Sequence, residues 1–117
     1  MSAVEVYAEA PAAIFAALGD PTRLAIVAQL RDGRARSIVE LSEGAPQTKA
    51  MTRQAVTKHL RVLEGAGLIG HERAGRESRF ILKPERFAHA RTYLEEVSAL
   101  WDDALGRLKM FVESEPD

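Results

Sequence analysis

Apolar residues recur every three or four positions over most of this chain, which is the spacing of one face of an α-helix. Near the N-terminus this spacing predicts a first helix that is opened by Pro11 and runs to Gly19. A second helix is predicted to begin at Asp20-Pro21, because Asp is a favoured N-cap and Pro fits the first helical position, and to end at Gly33. The residues expected on the buried faces are Ile14, Phe15, Leu18, Leu24, Val27 and Leu30.

Two further helices are predicted in the middle of the chain. The stretch SIVE at Ser37–Glu40 matches a capping box and opens a short helix that Gly44 closes. A longer helix follows, with Thr52 as its cap and Gly67 as its C-terminal stop. Its apolar stripe consists of Val56, Leu60 and Leu63.

The last third of the chain changes period and then returns to helix. LIGHER and SRFIL are predicted to form two strands around a turn at Ala74–Glu77, and Pro84 opens a long final helix that reaches about Glu113. A short capped helix before a polar-faced helix is a helix-turn-helix pattern, and a hairpin directly after it makes a winged helix. The predicted fold is mostly α with a small β-hairpin. Residues 1–117 are expected to form one domain, with the helix-turn-helix at about 37–66, the wing at 68–82 and the last helix at 84–113.

The face of the Thr52 helix that lies off its apolar stripe carries side chains suited to phosphates and base edges. They are Arg53, Gln54, Thr57, Lys58 and Arg61. The whole chain has a net charge of −1, but residues 49–91 hold ten basic and four acidic side chains, a local charge of +6. Phosphate attraction depends on this local density, because charges more than about 8–10 Å apart are largely screened. A chance cluster of solvated charges remains the alternative at this point.

Composition excludes several other classes of protein. The chain has no cysteine, which excludes disulfides and thiolate metal sites, and no apolar run near the length of a membrane span. The N-terminus shows no basic start followed by an apolar block, so we expect no secretory signal and a cytoplasmic location. We expect neither an enzyme nor a cofactor, because no nucleophile–base pair is evident. Gly65-x-Gly67 follows a helix and so is a helix stop, not a nucleotide loop.

Three stretches, taken in order, match a known family. They are ALGDPTRLAIVAQL (17–30), TRQAVTKHLRVLEGAGLI (52–69) and RFILKPERF (79–87). They resemble the ArsR family of winged-helix bacterial repressors over about residues 12–112. The resemblance implies a homodimer that binds a palindromic operator in double-stranded DNA and represses nearby genes, often releasing DNA when an effector binds. The ending WDDALGRLKMFVE (101–113) is similar to a branch that carries a tryptophan in its C-terminal helix and lacks the metal ligands.

The resemblance implies that the Thr52 helix is the recognition helix, which enters the major groove. Arg suits guanine and Gln suits adenine, so Arg53 and Gln54 are the candidates for base readout. Thr57, Lys58 and Arg61 are expected to hold phosphates, and Arg76 and Arg79 of the hairpin to reach the flanking minor groove or backbone. His59 matches a family histidine beside the DNA backbone. It is expected either to donate to a phosphate or to pack, partly buried, at the helix–wing junction.

The final helix is expected to form a dimer surface. At about 30 residues it spans about 45 Å, the full width of so small a domain, so something outside the monomer should cover its far end. The first helix, with Ile14, Phe15 and Leu18, is the expected co-partner. The residues that step by three or four along the final helix are Leu94, Val97, Trp101, Leu105, Leu108 and Val112.

Two features depart from the family pattern. Metal-sensing members use cysteines, or a carboxylate-x-His set on the last helix, whereas this chain has Ser37 and Phe87-Ala88-His89 at those places, so we expect no metal site. The turn at Glu43–Met51 is several residues longer than usual. Either it extends the recognition helix backward from about Thr48, or it forms a loop that carries Lys49 toward the DNA backbone.

The main hypothesis is a sequence-specific, dimeric transcriptional repressor. The alternative is a winged-helix module that binds proteins without reading DNA, which the basic middle segment disfavours. Activation in place of repression stays open, as do the operator, the regulated genes and a small-molecule effector.

Overall fold

The computed structural model describes the backbone of residues 3–114 and the side chains of residues 11–114. The described part of the chain is mostly helical, with one small antiparallel sheet. In chain order its elements are α1 Ala3–Leu18, α2 Pro21–Gln29, β1 Arg36–Ser37, α3 Ile38–Glu43, α4 Pro46–Lys49, α5 Arg53–Gly65, β2 Ile69–Ala74, β3 Glu77–Leu82 and α6 Pro84–Ser114.

Helix starts agree with the predicted caps. The carboxylate of Asp20 accepts a hydrogen bond from the Arg23 amide at 3.0 Å and caps α2. At α3 the capping box is complete, because Ser37 Oγ accepts from the Glu40 amide at 3.2 Å and the Glu40 carboxylate accepts from the Ser37 amide at 3.0 Å. Thr52 Oγ1 accepts from the Ala55 amide at 3.1 Å at the start of α5. These bonds satisfy amides that a helix leaves without an internal partner.

The end of α5 also follows its prediction. Helix geometry ends at Gly65, and Gly67 then adopts a φ of 76°, a left-handed conformation that glycine reaches without steric cost. The amide of Leu68 donates to the Leu63 carbonyl at 3.0 Å, which closes the helix with a Schellman motif. The chain therefore turns sharply from α5 into β2.

Two helix boundaries near the N-terminus were predicted wrongly. α1 begins at Ala3 and contains Pro11, because a proline removes one helical hydrogen bond but does not stop a segment otherwise rich in Ala and Glu. α2 ends at Gln29, and Gly33, with a φ of 80°, closes the turn after it. Ile26 of α2 and the C-cap residue Leu30 are buried, while Leu24 is 52% exposed. Apolar residues occur on several faces of α2, so periodicity alone did not identify the buried one.

The long turn after α3 contains an additional helical turn, α4, which neither predicted alternative included. Thr48 is fully buried, and its hydroxyl donates to the carbonyls of Leu41 at 2.8 Å and Ala45 at 3.1 Å. This anchor folds the insertion back onto α3. The predicted recognition helix, α5, therefore begins at Arg53, and Lys49 lies in α4.

The hairpin is present as predicted and has an additional neighbour. β2 pairs antiparallel with β3, with Ile69 opposite Leu82 and Ala74 opposite Glu77, so the tip consists of Gly75 and Arg76. β1 adds a third strand on the other side of β3, which gives the order β1-β3-β2. Because β1 runs directly into α3, the sheet connects the wing to the start of the helix-turn-helix.

The core lies where α1, α2, α3, α5 and the sheet meet. Its buried members include Ile14, Ile26, Leu30, Leu41, Val56, Leu60, Leu63, Leu68, Ile69 and Phe80. Ile14 is fully enclosed by this core, so its expected place at a dimer surface is wrong. Helices of this kind have several apolar faces, and only the packing determines which one is enclosed.

α6 extends far beyond the core. It has 31 residues, a length of about 46 Å, and Ala90 near its start is its buried side chain among the described residues. No single helix in the described chain is long and apolar enough to cross a membrane, although Pro11–Leu18 and Pro21–Gln29 meet that requirement as a pair bent by 99°.

Candidate nucleic-acid interface

A concave surface lies between α5, the start of α3 and the hairpin tip. It encloses about 540 Å³ and contains five of the residues predicted from the polar face of α5, together with Arg76 of the hairpin. We call it the basic groove. Its lining residues are Ser37, Ile38, Val39, Arg53, Gln54, Thr57, Lys58, Arg61, Arg76, Glu77 and Ser78.

The orientation of α5 follows from its own sequence. Val56, Leu60 and Leu63 are fully buried and turn one face of the helix into the core. Residues at the other positions of the helix must then face outward, and Arg53, Gln54 and Lys58 are exposed. Burial of an apolar stripe therefore presents the basic face to solvent.

Positive charge in the basic groove is largely uncompensated. In residues 11–114, no carboxylate lies within 4.0 Å of Arg53, Lys58, Arg61 or Arg76. The groove contains one carboxylate, Glu77, which lies 3.3 Å from the Arg79 guanidinium. Unpaired cations around a concave surface attract a polyanion and keep their donors available for it.

The N-terminus of α5 adds a further positive element. Backbone amides in the first turn of a helix point out of its end, and the helix dipole places partial positive charge there. The Thr52 hydroxyl accepts from the amide of Ala55, and the Arg53 and Gln54 side chains belong to the same first turn of the helix. Such an end binds phosphate oxygens.

Three predicted DNA contacts lie outside the basic groove. Lys49 is exposed in the last turn of α4. Arg79 pairs with Glu77 and is not among the groove's lining residues. His59 points away from the groove, with Nδ1 at 3.2 Å from the Arg23 guanidinium and 3.7 Å from the Asp20 carboxylate.

His59 is therefore a partly buried residue, as one of its two predicted alternatives stated. Its side chain is 22% exposed and packs against the start of α2, so the expected place at the helix–wing junction is wrong. The contact joins residues 36 positions apart, which no local sequence pattern indicates. The pKa of Asp20 is lowered, first by the hydrogen bond from the Arg23 amide and further by the positive charge of the Arg23 guanidinium.

Sequence reasoning missed the contribution of α3 to the basic groove. Ile38 and Val39 line it from the first turn of that helix, and Val39 is 37% exposed. The capping box located the start of α3, but it carries no information on which helix or strand faces α3 across the basic groove. The pKa of the adjacent Glu40 is lowered, mainly by its hydrogen bonds with the amide and hydroxyl of Ser37 and less by Arg79 and Arg36.

Apart from the enclosed Ile14, the predicted dimer residues lie either in a groove between α1 and α6 or farther along α6. The groove has a volume of about 400 Å³, and its lining includes Phe15, Leu18 and Leu94. Farther along α6 the side chains of Trp101, Leu105, Leu108 and Val112 are exposed, with Trp101 63% accessible, and Val97 is half-buried. Exposed apolar surface of this extent marks an interaction site.

No group of three His, Cys, Asp or Glu side chains in the described part of the chain is placed to hold a metal ion. Ser37 caps α3, and His89 is exposed on α6.

Comparison with known proteins shows a consistent set of relatives. Residues 18–72 match the protein family described as "Helix-turn-helix domain". The HTH-type transcriptional repressor SmtB of Mycobacterium tuberculosis is 33% identical over 97 residues, which cover 83% of this chain and 67% of SmtB. The structure of an ArsR-like transcriptional regulator from Rhodococcus sp. RHA1 is 33% identical, covers 92% of this chain and 96% of its own, and superposes with a TM-score of 0.72.

A more distant neighbour shows the fold alone. It is the solution structure of a homodimeric winged helix-turn-helix DNA-binding domain from Mycobacterium bovis, 19% identical, with a TM-score of 0.63 over 85% of this chain and 87% of that one. The relatives are regulators of transcription, not enzymes.

Proposed function

Because this chain belongs to the ArsR family of winged helix-turn-helix transcriptional regulators, we propose that it represses transcription as a homodimer bound to a palindromic operator. The observation that carries the proposal is the basic groove, in which four unpaired cations surround the exposed face of α5. A winged-helix module that binds only proteins has no need for such a surface. The name of the SmtB relative, a repressor, supports repression as the outcome of binding.

In this proposal α5 enters the major groove of DNA. Arg53 and Gln54 stand at its exposed N-terminal end and read base edges, Arg at guanine O6/N7 and Gln at adenine N6/N7. Thr57, Lys58 and Arg61 follow along the same face and hold phosphates, with the α5 amides adding a contact at the helix end. The Thr57 hydroxyl donates its proton to the Arg53 carbonyl at 2.8 Å in the free chain, so it must turn that proton toward the phosphate when DNA binds.

The hairpin and the insertion complete the DNA contacts. Arg76 at the hairpin tip faces the same concave surface as α5, so a DNA strand lying between them meets cations on both sides. Lys49 and Arg79 lie beside this surface and contribute weaker, long-range attraction to the backbone. His59 is not a DNA contact in this proposal, because its ring is engaged by α2.

The dimer forms through α6 with support from α1. Leu94, Trp101, Leu105 and Leu108 are exposed on a helix that extends beyond its own core, and a second copy would remove them from water. The homodimeric state of the Mycobacterium bovis domain supports this arrangement. A two-fold axis would then place two α5 helices about 34–36 Å apart, one turn of DNA, and require an inverted repeat.

Binding-site selection from genomic DNA at fixed salt, with zinc or chelator added in parallel, tests the proposal. We expect an inverted repeat, bound by two copies in sedimentation and indifferent to the metal. Weak binding that ignores sequence and disappears at moderate salt would contradict a groove-reading α5. Binding by single copies would contradict the dimer.

A further inference from the structure

The side chain of Arg23 joins three helices. Its Nε donates to the carbonyl of Ala17 and its Nη2 to the carbonyl of Ala16 at 3.4 Å, both at the C-terminal end of α1. Its Nη1 lies 3.2 Å from Nδ1 of His59 on α5. Its own backbone lies in the first turn of α2, where the amide donates to the Asp20 cap at 3.0 Å.

The chemistry of these groups makes the link directional. A guanidinium is always protonated and offers donors only, so Nδ1 of His59 must accept, which requires a neutral ring that carries its proton on Nε2. The carbonyls at the end of α1 have no partner within their helix and accept from the same rigid fork. A shift of α1 relative to α5 therefore breaks a hydrogen bond at one end of the guanidinium or the other.

Apart from the His59–Asp20 approach at 3.7 Å, the remaining contacts of α5 with α1 and α2 are apolar and non-directional. Val56, Leu60 and Leu63 pack by apolar contact, which tolerates small rotations of a helix about its axis. Among the hydrogen bonds of the described side chains, the one between Arg23 and His59 is the bond that ties α5 to α1 or α2. It is thus suited to define the rotation of α5 and, with it, the direction of Arg53 and Gln54.

We propose that Arg23 and His59 are positioning residues that orient α5 for operator binding and make that orientation depend on the position of α1. Phe15 and Leu18 of α1 line the groove against α6. A displacement of α1 at that groove therefore reaches the DNA-reading helix through the directional contacts of Arg23 as well as through the apolar core. Neither Arg23 nor His59 touches DNA. This inference rests on the proposed operator binding.

Operator affinity in a double-mutant cycle tests the inference. Arg23→Gln and His59→Leu should each weaken specific binding by about tenfold, the effect of losing a hydrogen bond to a charged group. Their combination should be no weaker than either alone, because both remove the same link. His59→Gln keeps an acceptor and should retain most of the affinity, a rescue that a merely space-filling role would not show.

The salt dependence separates positioning from direct contact. The slope of log affinity against log salt should stay unchanged in Arg23→Gln, since no phosphate contact is lost. Arg31→Gln is the matched control, because Arg31 is an exposed arginine near the end of α2 that bonds only the Ala28 carbonyl, at 3.2 Å, among the described residues. Sedimentation and thermal melting check that each variant is folded and dimeric. If Arg23→Gln does not fold, the His59 variants still test the inference, because the His59 side chain is partly exposed.

Several outcomes would overturn the inference. A slope reduced by about one in Arg23→Gln would make Arg23 a phosphate contact, and additive losses in the cycle would mean that the two residues act separately. Equal operator affinity of the wild-type protein and Arg23→Gln would refute this inference and leave the proposed function standing. A wild-type protein that selects no operator would refute the proposed function along with it.

Discussion

The hydroxyl of Thr48 donates to the carbonyl oxygen of Leu41 at 2.8 Å, and this bond holds the insertion between the two helices of the motif. The same carbonyl accepts from the side-chain amide of Gln29 at 3.1 Å. One backbone oxygen of α3 therefore binds both α2 and α4. The start of α5 follows α4 after three residues, so the hydrogen bonds to the Leu41 carbonyl also determine where α5, the predicted recognition helix, begins.

Replacing Thr48 by valine, which has the same shape but no hydroxyl, should destabilise the fold. We expect a loss of about 1–2 kcal/mol in the free energy of unfolding, since a buried hydrogen bond is lost while Gln29 still serves the Leu41 carbonyl. Urea denaturation measures the difference. Thr57→Val is the control, because that hydroxyl lies in the exposed groove, and its change should stay within about 0.5 kcal/mol. Equal stability of wild type and Thr48→Val would show that the hydrogen bond from Thr48 to the Leu41 carbonyl does not stabilise the fold.

Arg53→Ala should remove selectivity at one base pair of the operator. The expected cost is about 1–3 kcal/mol for the cognate base, with the protein folded and dimeric. Competition binding against operators mutated at single positions measures the effect. Lys58→Ala provides the contrast, because a phosphate contact should weaken all sequences alike and lower the salt slope by about one. Unchanged selectivity in Arg53→Ala would exclude Arg53 from base readout.

Trp101→Ala should weaken the dimer while leaving the monomer's core intact. Its side chain is 63% exposed in the single chain, and in the proposed dimer the partner buries it. Aromatic anchors of this kind contribute about 2 kcal/mol or more to association. Sedimentation over a concentration series measures the dissociation constant. Met110 lies on the opposite side of α6 and is 71% exposed, so Met110→Ala should leave the dimer unchanged. Equal dimerisation of both variants would place the interface elsewhere.

Glu40→Gln should reduce the acid sensitivity of the fold. The pKa of Glu40 lies below its ordinary value of 4.5 because the folded state donates hydrogen bonds to the carboxylate. A lowered pKa stabilises the fold above pH 4.5, and this contribution disappears as the pH falls through the lower folded value. The glutamine side chain keeps an oxygen that accepts from the Ser37 amide, but it does not titrate in this pH range.

The free energy of unfolding from pH 7 to pH 3 measures this difference. The free energy of unfolding of the wild type should exceed that of Glu40→Gln at pH 7 and approach it at pH 3. Glu43→Gln, at the exposed end of the same helix, should keep the wild-type pH profile. A constant gap between wild type and Glu40→Gln across the range would show that the charge of Glu40 plays no part.

Local hydrogen bonds explain why the caps were predictable. Asp20, Ser37 with Glu40, and Thr52 each bond an amide three residues away, so residue identity and spacing contain the whole interaction. The basic face of α5 was predictable for a similar reason, since its buried stripe repeats within one helix. The membership of Arg53, Gln54 and Lys58 in one surface follows from that stripe.

Contacts between distant segments were not predictable from the pattern. β1 exists because Arg36 lies opposite Phe80, and α4 is held by a carbonyl seven residues away and in another helix. The burial of Ile14 and the exposure of Leu24 depend on which apolar face of a helix meets the core. His59 carries no local sign that Arg23 would bind it.

The sequence by itself determined the order of the main helices and the hairpin, the capped starts of α2, α3 and α5 and the outward direction of the basic face, because these depend on interactions within a few residues. Only the tertiary structure decided that Arg76 joins α5 around one groove, that Thr48 anchors an added helical turn and that the His59 side chain lies against the start of α2. Those relationships depend on the packing of segments far apart in the chain, and that packing minimises the free energy of the whole fold.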